Sequence, residues 1–94
     1  MKKIELTFGK ADTRLAGNPY GKEVFRSQVK GVLDYNDKNV IVFPASIEKI
    51  ASSFVQGFFS EVISEIGFGR FNEVIEVEAG TEELVNQILE DLLY

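Results

Sequence analysis

Ile4, Leu6 and Phe8 alternate with Glu5 and Thr7, the period-2 pattern of a strand with one polar face, and Gly9 ends it, so a first strand is expected over 3–8. Lys10 to Gly17 has no clear periodicity and leaves open a loop or a short extra strand. Asn18 is then placed as an N-cap with Pro19 at the first helical position, where the missing N–H costs nothing. Tyr20, Val24, Phe25, Val29, Val32 and Leu33 keep helical spacing to about residue 32. Tyr35-Asn36-Asp37-Lys38-Asn39 has the chemistry of a turn, because Asn and Asp side chains bond locally to backbone. Val40-Ile41-Val42-Phe43 follows as a continuous apolar run stopped by Pro44, which suits a central strand covered on both faces.

Beyond an irregular connection over 44–51, the spacing predicts a helix over 53–66. Ser53 and Gln56 stand at capping-box spacing, Phe54, Phe58 and Val62 form one apolar row, and Val55, Phe59, Ile63 and Ile66 form the next. Gly67 is placed for a left-handed C-cap. Phe71 to Glu78 reads as a third strand, with Ile75 and Val77 set between glutamates, and Gly80 breaks it. Thr81 caps a last helix whose first turn holds Glu82 and Glu83 and whose stripe is Leu84, Val85, Ile88, Leu89, Leu92 and Leu93. Strand, helix, strand, helix, strand, helix predicts an α/β fold: a small, mostly parallel or mixed sheet with three main helices.

Ninety-four residues suit one domain, expected to span 1–94, and a chain this short buries little more than ~60% of its unfolded surface. Eight Phe and three Tyr are ample for one core. There is neither Cys nor His, which removes disulfides, thiolate metal sites, Ser–His and Cys–His nucleophiles and the usual transition-metal ligands. No cofactor or metal is expected. No apolar run of leader or membrane-spanning length occurs, so no membrane association and a cytoplasmic location are expected.

Charge is uneven. Residues 1–60 hold nine basic and six acidic groups, whereas 61–94 hold one basic group, Arg70, and nine acidic ones. The acidic third would repel phosphates, so no nucleic-acid partner is expected, while Lys10, Arg14, Lys22, Arg26 and Lys30 suit an acidic protein surface or an ordinary solvated one equally. Asp34 with Asp37 across a turn, and Glu76 with Glu78 on a strand, could each share a face as an acid/base pair would, and solvated turn and strand charges account for them without it. Gly17-Asn18-Pro19-Tyr20-Gly21-Lys22 opens a helix and leaves three readings: an anion site, a partner contact, or plain helix-start geometry; it lacks the glycine spacing of a nucleotide loop. Ala51-Ser52-Ser53-Phe54 sets two serines where a central strand leads into a helix, a position suited to capping or to a phosphate switch.

Val40-Ile41-Val42-Phe43, the connection to Ile50, Ala51-Ser52-Ser53-Phe54 and the Phe-rich helix, with Leu15-Ala16-Gly17-Asn18-Pro19-Tyr20-Gly21-Lys22-Glu23 upstream, resemble the bacterial STAS-like domain of unknown function, which is related to anti-sigma factor antagonists. The resemblance covers nearly the whole chain. In the antagonists an Asp-Ser-Ser/Thr-Gly motif carries a serine phosphorylated by a partner kinase of the histidine-kinase-like ATPase fold. Here that motif falls on Ala51-Ser52-Ser53-Phe54, with alanine and phenylalanine at its outer positions. The resemblance implies a non-catalytic regulatory module docking a protein partner through the start of helix 53–66, an ATPase of that fold being one candidate, with Ser52 as candidate phosphoacceptor. Ser52, Ser53, Gln56, Arg14, Asn18 and Lys22 are its implied contact residues, and a homodimer stays open. A second expectation rests on charge alone: a compact acidic inhibitor from a mobile element that blocks a basic protein surface with residues 61–94.

Overall fold

In the computed structural model, which describes residues 1–93, three parallel strands form the main sheet in the order β1-β3-β5: β1 is Lys2–Glu5, β3 is Asn39–Val42 and β5 is Ile75–Glu78. The expected central strand is therefore central. Registers align Ile4 with Ile41 and Ile41 with Val77, and these point into one hydrophobic cluster. A second parallel pair, β2 (Arg14–Leu15) with β4 (Lys49–Ile50), lies in the segments that follow β1 and β3. The optional short strand thus exists, and the connection expected to be irregular supplies its partner.

The other row of the main sheet corrects the expectation that β3 is covered on both faces. Lys3 and Glu5 of β1 and Glu76 and Glu78 of β5 are exposed, and they flank Val40 and Val42 in register. Val40 is only 4% exposed yet lies outside the hydrophobic cluster. Its register neighbours Lys3 and Glu76 can account for that shelter, since Lys and Glu lay apolar stems over a neighbour. The helices occupy one face, and the fold is a two-layer α/β arrangement.

Helix α1 spans Asn18–Gln28, so it stops short of residue 32, and its N-cap is Gly17 (φ 100°) rather than Asn18. The expected helix 53–66 is two segments, α2 (Ser52–Phe58) and α3 (Ser60–Ile66). Ser60 Oγ donates to the Gly57 carbonyl at 2.8 Å, a back-bond that competes with the helical ladder and bends it. The bend at Phe59 lets two successive phenylalanines be fully buried. Phe58 lies 5.7 Å from Phe25 and from Phe43, while Phe59 packs edge-on against Phe71 at 5.3 Å. Gly67 ends α3 at φ 73°.

Two glycines set the approach of α1 to α2. A Cβ on Gly21 would strike the Phe54 carbonyl oxygen, and one on Gly57 would strike the Asn18 carbonyl oxygen. Glycine within a helix costs about 1 kcal/mol relative to alanine, and close backbone packing offsets it here. Phe71–Val74 is a helical turn, α4, after a 3-10 turn at Phe68–Arg70, so the third strand starts at Ile75 and not at Phe71. Helix α5 runs Glu82–Leu93 with the Leu84 N–H donating to Thr81 Oγ1 at 3.1 Å, as the capping residue predicts.

Among the described residues one polar side chain is fully buried. Asn39 Oδ1 accepts from the Asp34 N–H at 3.0 Å, and its Nδ2 reaches the carbonyls of Asp34 (2.7 Å), Asp37 (3.0 Å) and Val74 (3.2 Å). The turn before β3 is thereby tied to the start of β5, and every polar atom of the side chain has a partner.

Candidate functional site

Each main strand is followed at its carboxyl end by a segment that borders the same cleft. Arg14, Leu15 and Ala16 follow β1, Glu48 to Ser52 follow β3, and Thr81, Glu83, Leu84 and Gln87 follow β5, with Asp91 further along α5. The cleft measures about 720 Å³. Open α/β sheets characteristically bind their ligands outside the carboxyl ends of the strands, and the segments that follow all three strands contribute here.

Local pairing explains the walls. The N–H groups of Glu48 and Lys49 both donate to the Thr13 carbonyl (2.7 and 3.2 Å), and the Ala51 N–H donates to the Leu15 carbonyl at 2.8 Å. Leu15 and Ile50 are register partners turned into the core. Arg14 and Lys49 are therefore register partners on the opposite, exposed face, two cations side by side. Among the described residues neither has a carboxylate within 4.0 Å. Ser52 is exposed on the wall of the same cleft, and Glu48, Glu83 and Asp91 give it an acidic border.

The six residues singled out in the sequence separate. Arg14 and Ser52 share the cleft. Ser53 is half-buried and does not cap α2 through a box with Gln56: the N-cap is Ala51, with no side-chain cap, and Ser53 Oγ instead accepts the Gly17 N–H at 3.1 Å. This bond joins the starts of α1 and α2 across 36 residues. Asn18 is half-buried with its carbonyl against Gly57. Lys22 borders a different depression, beside Arg26, Ser60 and Glu61, and Gln56 a third, beside Phe68 and Leu93. Lys49, Glu83 and Gln87 were missed; a two-residue strand gives no periodic signal, and α5 reaches the cleft only through tertiary packing.

The acidic residues divide as well. Glu76 and Glu78 share the bare sheet face with Lys3, and Glu76 lies 4.0 Å from Lys38 Nζ, whereas Glu83 borders the cleft. Among the described residues no three carboxylates gather as a metal site. Tyr35 is pushed above the usual phenol range by burial first and then by Glu65 and Glu61, so its hydroxyl is protonated at neutral pH. No helix of the described residues is long and apolar enough to cross a membrane.

The chain matches no protein-family model, no curated protein and no solved structure.

Proposed function

We propose that this chain is a non-catalytic regulatory module that binds a protein partner through the cleft at the carboxyl ends of its strands, after the manner of anti-sigma factor antagonists. The observation that carries the reading is the meeting of Ser52 with Arg14 and Lys49, which have no ion-pair partner among the described residues, on one cleft built by the segments that follow all three main strands. The cation pair offers an acidic side chain of the partner two donors held by one short ladder. A phosphate on Ser52 would add about −1.5 to −2 charge on the wall of that cleft and compete with the partner's own carboxylates for both cations. Binding and its release would then use one surface. An ATPase of the histidine-kinase-like fold is the partner class that the STAS-like resemblance supports.

The test is site-specific photo-crosslinking in the source cell, with a photoreactive side chain placed in turn at positions 52, 22 and 56. A partner captured from position 52, and lost when Arg14→Glu and Lys49→Glu are combined, is the expected result. Ser52→Asp, read by the same capture from position 87 on the cleft wall, should weaken it about tenfold. Equal capture from positions 22 and 56, or capture indifferent to the charge reversals, overturns the reading.

A further inference from the structure

We propose that β1 is a self-complementary edge through which two copies of this chain pair, antiparallel about Ile4, into one continuous sheet. The strand order β1-β3-β5 leaves β1 at an open edge. The Lys2 N–H donates to the Lys38 carbonyl at 2.8 Å and the Leu6 N–H to the Val42 carbonyl at 2.9 Å, so the peptide groups of residues 2, 4 and 6 face β3. Alternation along the strand turns those of Lys3, Glu5 and Thr7 outward. The Thr7 group is already taken: its N–H donates to Gln28 Oε1 and its carbonyl accepts from Gln28 Nε2, both at 2.8 Å. What stays open is a segment of two outward residues, Lys3 and Glu5, with a stop built at its end.

A two-fold axis through Ile4 sets Lys3 of one copy opposite Glu5 of the other, and the reverse. In an antiparallel ladder such a pair exchanges both N–H···O bonds, and the residue between, here Ile4 against Ile4, is a close non-hydrogen-bonded pair. The outward parity of residues 3 and 5 is the parity that this register requires. The side chains agree with the backbone: Lys3 meets Glu5 twice by symmetry on the same exposed face, and among the described residues neither has an ion-pair partner within its own chain. Ile4 meets its twin on the core face.

The opposite edge behaves differently. The Phe43 N–H donates to the Glu78 carbonyl at 2.8 Å, so the peptide groups of Glu76 and Glu78 face β3 and those of Ile75 and Val77 face outward. The exposed side chains of β5 are both glutamates, and every antiparallel self-pairing of this strand sets carboxylate against carboxylate. Like charges directly opposite disfavour a sheet pair. Of the two edges, only β1 invites a second copy.

Sedimentation equilibrium of the purified chain, up to about 1 mM, reads the association. A monomer–dimer equilibrium is expected for the wild type. K3E and E5K each turn both cross-strand pairs repulsive and should each raise the dissociation constant at least about tenfold. The double variant K3E/E5K restores opposite charges and should recover the dimer, and an equimolar mixture of the two single variants should associate as a heterodimer without needing the double variant. E76K should leave the equilibrium unchanged. A wild type that is monomeric throughout, single variants that dimerise as the wild type does, or folded single variants that fail to associate when mixed would each overturn the proposal.

Discussion

The two sides of the central sheet obey different rules. On the helix side, Ile4, Ile41 and Val77 run into a cluster in which Phe54, Phe58, Phe59 and Val62 show no exposed surface, and α1 and α2 touch backbone to backbone. On the other side, Val40 and Val42 each lie between exposed charged neighbours, Lys3 with Glu76 and Glu5 with Glu78. The difference teaches where variation is permitted. A side packed at the density of a crystal has no slack to bind or to move, so recognition is left to the ends and edges of the sheet: the cleft beyond the carboxyl ends and the open edge of β1.

Breaking the packed side should give the largest effects. Gly57→Ala forces a methyl group against the Asn18 carbonyl, where the obstacle is backbone and cannot rotate away. A loss of at least about 3 kcal/mol is expected, seen as a lowered denaturant midpoint by circular dichroism, although alanine is the better helix former. An unchanged midpoint would mean that the two helices sit further apart. The next comparison uses adjacent residues of β3. Ile41→Ala should cost about 2–5 kcal/mol because it opens a cavity beneath the helices, whereas Val40→Ala, on the bare face, should cost about 1 kcal/mol because flanking side chains and water can close over it. Equal losses at the two positions would show that the outer face is covered as well as the inner one.

That contrast also marks what could be read from the chain. The alternation of β1, the apolar run of β3, the Thr81 cap and the α5 stripe each carry their own local period, and each led to an element of the right kind. The run Val40–Phe43 predicts cover on both faces, because an apolar run looks the same in sequence whether or not a helix covers its second face. The bend at Phe59 was hidden by uninterrupted apolar spacing; the only local sign is Ser60, whose hydroxyl can turn back on the preceding turn. Phe71, Val74 and Ile75 fit one helical turn before the period changes to two at Ile75, so the apolar pattern alone starts strand three four residues too soon. Of the cleft, Ser52 and Arg14 were legible as a serine at a helix start and a cation before one. Lys49 was not, since its place beside Arg14 exists only once two dipeptides 35 residues apart have paired.

The smallest effect lies where the two sides meet, at the end of the β1 edge. Gln28, the last residue of α1, uses its amide as a strand would, closing both hydrogen-bonding groups of Thr7 at 2.8 Å. Gln28→Ala should lower stability by only about 0.5 kcal/mol, since both groups of Thr7 can turn to water at the exposed edge. Its local signature is sharper than its global one. Amide hydrogen exchange at Thr7 should accelerate, while the Leu6 N–H, held by Val42 within the sheet, keeps its protection. If both amides accelerate together, Gln28 supports the sheet itself. If only Thr7 responds, the side chain acts as a stop on an otherwise open edge, and the helix layer governs how far that edge extends.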